Sequence, residues 1–322
     1  MVHLPTIKQL RYFVALYEHR HFGRAADACF VSQSAFSVAI RELETLLAVQ
    51  LVDRTRKQVT ITAIGSEIAT QARLCLRDAE ALVEMARYQQ EPLAGRLNLG
   101  VIPTIAPFLL PRFMPPLQRE YPRLQLYLQE DVTARLLDGL LAGELDLVLM
   151  ALPYELRHME VMTLFRDPFR LACREDSQRV DPHHYRFSRL QQGSVLLLED
   201  GHCLRDHALS ACRIRQQEKV SRFAASTLLT LVQMVDADLG ITYLPAMAEN
   251  SPLLAQTQVR TYPLDEKAYR EIGLVWRRGS ARSDEFRQLG EFIRRHRPGM
   301  QDSASQPDSE SQRASAKDAG IV

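Results

Sequence analysis

Two cysteines nine positions apart, Cys203 and Cys212, are the side chains best able to do chemistry in this chain. Cys203 stands in the polar run Asp200-Gly201-His202-Cys203-Leu204-Arg205-Asp206. A cysteine reacts as its thiolate, and cationic neighbours lower the pKa that governs how much thiolate exists. His202 and Arg205 are placed in sequence to supply such charge. Three uses are open to the pair on residue type alone. It could be redox-active, or two small apolar core residues, or part of a metal set with His202 and His207. A metal set is disfavoured because no close Cys-x-x-Cys pair occurs. Cys29, Cys75 and Cys173 read as structural or incidental.

The surrounding composition bounds the setting. The chain has 322 residues, 46% hydrophobic and 25% charged, so it can bury sizeable cores in two or three domains. Net charge is +1, yet residues 1–62 carry eight Lys/Arg against five Asp/Glu. A small basic unit on a near-neutral body points to a polyanionic partner. No run reaches the roughly 18–20 apolar residues of a membrane helix. Charges at Lys8, Arg11, Glu18 and Arg20 replace the apolar core of a secretory signal. The cysteines are few, odd in number and scattered, which fits a reducing compartment. A cytoplasmic protein is expected, with no membrane partner.

The elements that must position these residues follow from periodicity. Ile7, Leu10, Phe13, Val14 and Tyr17 recur at helical spacing after Thr6. His21 to Cys29 reads as a second short helix. Ser32 is placed to N-cap a third helix to about Leu47, with Phe36, Ile40, Leu43 and Leu47 on one stripe. Two short helices in tight succession form a helix-turn-helix. Strand-like Leu51–Arg54 and Val59–Thr62 then flank a basic segment and predict a wing. From Ala63 to about Gln90, Ile68, Ala72, Leu76, Ala79, Leu82, Val83 and Ala86 form a narrow apolar stripe. It is expected to pair with a second copy, because the winged unit is too small to cover it. Alternating strand and helix patterns follow, predicting an α/β body of largely parallel sheets. A late strand, Ile272 to Trp276, should return to the first strands and leave two subdomains with a cleft between them. After Pro298 the chain is poor in large apolar residues and reads as a disordered tail.

The run FGRAADACFVSQSAFSVAIRELETLLAVQLVDRTRKQVTITAIG resembles the N-terminal unit of LysR-type transcriptional regulators. The resemblance extends through the α/β body to about Arg297. It implies an α/β fold class: a winged helix-turn-helix at 5–62 (helix-turn-helix 22–41) and a linker or dimerisation helix at 63–92. A regulatory domain of the periplasmic-binding-protein type would follow at 93–297, with subdomains of about 93–168 plus 270–297 and about 169–269, and the tail is 298–322. A recognition helix presents its first turns to base edges while a wing meets phosphate. Ser32, Gln33, Ser34, Ser37 and Arg41 are the expected readers, and Arg54, Arg56 and Lys57 the expected phosphate contacts. Gln can pair with adenine and Arg with guanine.

The segment LLLEDGHCLRDHALSAC is similar to the peroxide-sensing members of that family. This resemblance implies that Cys203 reacts with hydrogen peroxide and that Cys212 resolves it as an intramolecular disulfide. Thr104, His202 and Arg270 are implied to form the peroxide pocket, with Arg205 a further source of charge. The resemblance also implies a double-stranded operator, a homodimer assembling to a homotetramer, contact with RNA polymerase, and reset by a glutaredoxin- or thioredoxin-type reductant. No cofactor or metal is implied. Helical geometry adds a constraint: nine residues of helix turn about 900° and rise about 13 Å, whereas a disulfide needs Cα atoms within about 7 Å. If 203–212 is helical, that disulfide requires the helix to be unmade. Two other readings compete: a metabolite-responsive regulator of the same family, and a thiol peroxidase, for which a DNA-binding unit would be surplus. Asp236 and Asp238 depart from the family pattern, where small residues or glycine are usual. Arg54→Ala is predicted to weaken binding to all duplex sequences and to lower the slope of log affinity against log salt by about 1. An unchanged slope in a salt titration would count against a phosphate contact.

Overall fold

The computed structural model describes residues 3–54, 59–87, 93–211, 217–264 and 268–297. Arg56, Lys57, Cys212 and the tail 298–322 lie outside these residues, as does the side chain of Arg54.

Three helices open the fold: α1 (Ile7–His19), α2 (Phe22–Ala28) and α3 (Gln33–Leu47). Thr6 starts α1 through a capping box with Gln9, and the Ser32 hydroxyl caps α3 by accepting from the backbone of Ala35. Tyr12 stacks on Phe36 at 5.1 Å and Phe22 meets Phe36 edge-on at 6.2 Å. Phe13, Leu16, Ile40 and Leu43 complete a core separate from that of the α/β body. The wing pairs β1 (Val52–Arg54) antiparallel to β2 (Val59–Ile61). The Glu44 carboxylate accepts from the backbone of Leu51 and Val52, which fixes how the chain leaves α3.

Helix α4 (Ala63–Arg87) does not keep its whole apolar stripe for a partner. Its early residues Ala69 and Ala72 are buried, and α4 packs on α1. The winged unit therefore covers the first half of the stripe, because α1 turns its own apolar face outward to meet it. Leu82 and Val83, further along, remain exposed. Just before them α4 is tied to the body: Arg77 donates to the carbonyls of Gly143 and Leu145 and pairs with Asp146.

The body begins with β3 (Gly95–Val101), α5 (Ala106–Glu120), β4 (Leu124–Glu130), α6 (Thr133–Leu141) and β5 (Leu147–Leu152). β4, β3 and β5 are parallel, as their crossover helices require. The sheet is nevertheless mixed, which corrects the largely parallel expectation. β6 (Met159–Arg174) is 16 residues long and runs antiparallel to its neighbours. Further along come β7 (Val195–Leu198), α7 (Cys203–Ala211), β8 (Val220–Ala225), α8 (Leu228–Asp236), β9 (Thr242–Pro245), β10 (Val259–Pro263), β11 (Tyr269–Arg277) and α9 (Ser283–Arg295). The early half of β6 pairs with β11, and its late half pairs with β9 and β10. β11 also pairs with β5, so the late strand does return to the first strands. Two lobes thus share β6, and the curled sheet forms a two-subdomain effector domain.

Asp238 follows α8 with φ +54°, a left-handed conformation that favours glycine. Its carboxylate accepts from Ser177 at 2.6 Å and its carbonyl accepts from Arg179 at 2.6 Å, contacts a glycine could make only in part. Asp236 accepts from the backbone of Gln258 at 2.7 Å. The departures at these two positions therefore leave the fold intact.

One close approach dictates a residue type in the DNA-binding unit. A Cβ on Gly65 would lie 2.4 Å from the Leu51 carbonyl and 2.8 Å from Ile61 Cγ2. Gly65→Ala is predicted to push α4 from the wing and to destabilise the N-terminal unit by about 1–3 kcal/mol, as overpacking does. Urea denaturation of the variant reads this directly; an unchanged midpoint would contradict the packing.

Candidate functional site

Cys203 is the first residue of α7 and is buried. β7 leads up to it, and Gly201, at φ +99°, turns the chain so that the helix starts there. The thiol meets the backbone N–H of Ala151 on β5 and faces the hydroxyl of Thr133, the first residue of α6. Thr133 Oγ1 is buried and makes no well-formed hydrogen bond, so its approach to the sulfur is loose. Two lobes therefore meet at one sulfur atom, since α7 follows β7 whereas α6 and β5 belong to the first strands.

Below this point lies a buried ion pair. Arg270 on β11 stands directly across from Asp167 on β6, and its Nε donates to the carboxylate at 3.0 Å. The other guanidinium nitrogens donate to the hydroxyl and the carbonyl of Thr104, both at 2.8 Å. Asp167 also accepts from the backbone N–H of Met247 at 3.1 Å. Burial pushes the Asp167 carboxyl up, and Arg270 opposes that rise. The charged pair persists because every polar atom of the guanidinium is matched.

The thiol is subject to the same contest. Burial pushes the Cys203 pKa up, while the Thr133 hydroxyl, the positive charge of Arg270 and the Ala151 N–H pull it down. Burial prevails, so the thiol's pKa lies above its ordinary value. The Arg205 guanidinium turns to Asp200 at 3.0 Å and to the Leu198 carbonyl at 3.1 Å. His202 is buried beside Cys203. Thr104 and Arg270 are bonded to each other, and Arg270 acts on Cys203 through its charge. Thr133, Ala151 and Asp167 were missed by sequence reasoning. Thr133 in Val132-Thr133-Ala134 reads as an ordinary helix start, and Asp167 gains meaning only beside a residue 103 positions away.

His207, one turn after Cys203, is also buried. Its Nε2 donates to the carbonyl of Pro153 at 2.9 Å. Cys173, in contrast, sits on β6 with its thiol pushed up to about 11 by burial, with Asp238 adding to the rise. No group of metal-competent side chains occurs among the described residues.

On the DNA-binding unit, Ser32, Gln33, Ser34 and Arg41 are exposed along α3, and Ser37 is half-buried. The Ser32 and Ser34 hydroxyls are 3.1 Å apart at the helix start. The wing strand β1 carries Asp53 and ends at Arg54.

Residues 7–66 match the bacterial regulatory helix-turn-helix protein, lysR family, and residues 90–298 match the LysR substrate binding domain. The chain belongs to the LysR family of DNA-binding transcriptional regulators. Within that family it is 41% identical to the DNA-binding transcriptional dual regulator OxyR of Escherichia coli, over 91% of this chain and 96% of that one. It is 38% identical to the transcriptional regulator EstR of Acinetobacter baylyi, over 92% and 98%. Among solved structures, a full-length OxyR variant from Pseudomonas aeruginosa matches with a TM-score of 0.73 at 34% identity, over 91% of this chain and 95% of that one. A hydrogen-peroxide-bound OxyR mutant from Corynebacterium glutamicum matches with a TM-score of 0.60 at 35% identity, over 92% and 94%.

Removing one member of a buried pair strands the other charge. Arg270→Met is predicted to destabilise the regulatory domain by about 3–5 kcal/mol, with Arg270→Lys recovering little because one ammonium cannot replace the fork. Denaturant titration checks this, and a loss below about 1 kcal/mol would contradict the assigned network.

Proposed function

We propose that this protein is a cytoplasmic, peroxide-sensing transcription activator of the LysR family in which Cys203 is the reactive thiol. The single observation that carries the reading is a cysteine at a helix start that two lobes enclose, within reach of Thr133 and the charge of Arg270. Similarity to OxyR proteins across nearly the whole chain supports it. The Cys203 thiolate attacks one oxygen of hydrogen peroxide, an S–O bond forms and the O–O bond breaks. The leaving hydroxide takes up a proton as water, and the cysteine becomes a sulfenic acid. Cys212 then attacks that sulfur, forming a disulfide and releasing a second water. A glutaredoxin- or thioredoxin-type dithiol returns both thiols. His202 and Thr104 border the path to the sulfur in this proposal, while Arg205 tunes the segment through Asp200.

The conformational step follows from helix geometry. α7 spans Cys203–Ala211, which separates its end Cα atoms by about 12 Å. A disulfide reaching past the end of that helix requires it to unwind, which makes α7 a two-state element with a covalent trigger. α6 and β5 flank Cys203 at one end and meet α4 at the other, where Arg77 is bound between them. Release of α7 is proposed to reach the DNA-binding unit along this route. Ser32, Gln33, Ser34, Ser37 and Arg41 would read the operator's base edges, with Arg54, Arg56 and Lys57 on its phosphates. The exposed Leu82 and Val83 fit a dimer contact through α4, and two dimers would span an extended operator and meet RNA polymerase. A metabolite-responsive regulator is the second reading, favoured by similarity to EstR over an equal share of the chain.

Cys203→Ser is predicted to abolish the change in operator footprint that peroxide causes, whereas Cys173→Ser leaves it intact. A footprint that still shifts in Cys203→Ser would remove the thiol from the mechanism and favour a bound metabolite.

A further inference from the structure

Four buried side-chain polar atoms among the described residues have no hydrogen-bond partner, and two of them lie close to Cys203: Thr133 Oγ1 on α6 and His207 Nδ1 on α7 itself. Buried polar atoms are nearly always paired, so each exception asks for a reason. The His207 side chain also bonds from α7 across to the other lobe. Cys203 and His207 are four positions apart and so share one face of the helix. They dock on neighbouring backbone groups, Cys203 on the Ala151 N–H and His207 on the Pro153 carbonyl 2.9 Å away.

We infer that His207 is a second clasp of the switch helix, a positioning residue whose bond to Pro153 holds α7 against the end of β5 and sets how readily Cys203 is released. The inference rests on the reading of Cys203 as the reactive thiol for its biological meaning, though not for its physical content. Once Cys203 is oxidised its contact with Ala151 is altered, and the His207 bond still ties that face of α7 to the first lobe. The clasp therefore governs the step between a modified cysteine and an unwound helix.

The ring's protonation sign follows from its bonding. A carbonyl can only accept, so Nε2 carries the proton and Nδ1 presents a bare lone pair to the interior. Adding a proton there would bury an unpaired cation. Burial and the nearby Arg270 of β11 hold the ring's pKa below 6.5, against the opposing pull of the Pro153 carbonyl and Asp206. An undocked ring titrates near about 6.5. Docking is therefore at full strength above that pH and weakens as pH falls through the interval down to the lowered value.

The test is amide hydrogen exchange of the α7 peptides in the reduced full-length protein, corrected for intrinsic exchange, between pH 7.5 and 5.5. Two variants separate the possibilities. His207→Leu removes the donor, and His207→Gln keeps a donor that cannot gain a proton. At pH 7.5, exchange in α7 is expected to rise about fivefold or more in His207→Leu, the effect of losing a hydrogen bond that holds the helix, and to stay within about twofold of wild type in His207→Gln. On acidification the wild type should approach the Leu variant while the Gln variant stays flat. Equal exchange in wild type and His207→Leu overturns the clasp, as does a parallel rise with acid in wild type and His207→Gln. Should His207→Leu fail to fold, the wild-type and Gln pH series still decides. Peroxide oxidation of Cys203, followed by mass spectrometry on the same samples, keeps the two readings apart. An inert Cys203 in wild type would sink the sensor while the exchange data judge the clasp.

Discussion

A guanidinium without solvent sits at the crossing of the two long strands, and the rest of the regulatory domain is arranged around it. Arg270 and Asp167 are register partners on β11 and β6, so the pair is set by the sheet itself. Its remaining donors bond Thr104, in the turn after β3, and the carboxylate holds Met247 of the second lobe. One ion pair thus fixes the mutual position of four segments far apart in sequence. Taking such a pair out of water is costly, and its value here is specificity of arrangement more than net stability. The same charge reaches Cys203 as an electrostatic pull, so the scaffold and the thiol are coupled through one side chain.

That coupling meets an opposing force. Cys203 is buried deeply enough that desolvation outweighs the cation, the N–H and the hydroxyl around it. The sulfur is shielded from bulk solvent, so access to it is set by the shape of the enclosing lobes. On the proposed reading, selectivity arises from the enclosed geometry: a small, neutral oxidant with two hydrogen-bonding oxygens fits where larger reagents do not. The helix that begins at Cys203 then carries the signal, because chemistry at its first residue changes whether the remaining turns stay docked.

Much of the DNA-binding unit was legible because local signals there agree with the fold. Ser32 caps the helix that its position predicts, and Phe13, Phe36, Ile40 and Leu43 are buried on the stripes that periodicity predicts, whereas Ile7 is exposed and Leu16 is buried in α1 instead. The helix α7 was likewise readable from Leu204, Ala208 and Ala211. β6 was not legible at full length. Its middle, Arg166-Asp167-Pro168, looks like a turn, whereas Asp167 is buried there as the partner of a distant arginine. β8 and β10 escaped notice because they carry polar, partly exposed residues such as Arg222 and Arg260. Arg205 was placed near the thiol by sequence adjacency, yet successive side chains on a helix diverge by about 100°, and Asp200 captured it. The role of Thr133 depends wholly on α6 and α7 meeting across the lobes, which no local pattern encodes.

The most direct measurement is mass spectrometry of every cysteine before and after a brief hydrogen peroxide pulse, paired with operator footprinting of the same samples. The account predicts that only Cys203 and Cys212 lose their free thiols, as a Cys203–Cys212 link, and that the footprint shifts in step with that fraction. A footprint that shifts while Cys203 stays reduced, or a fully oxidised Cys203 with an unchanged footprint, would contradict it.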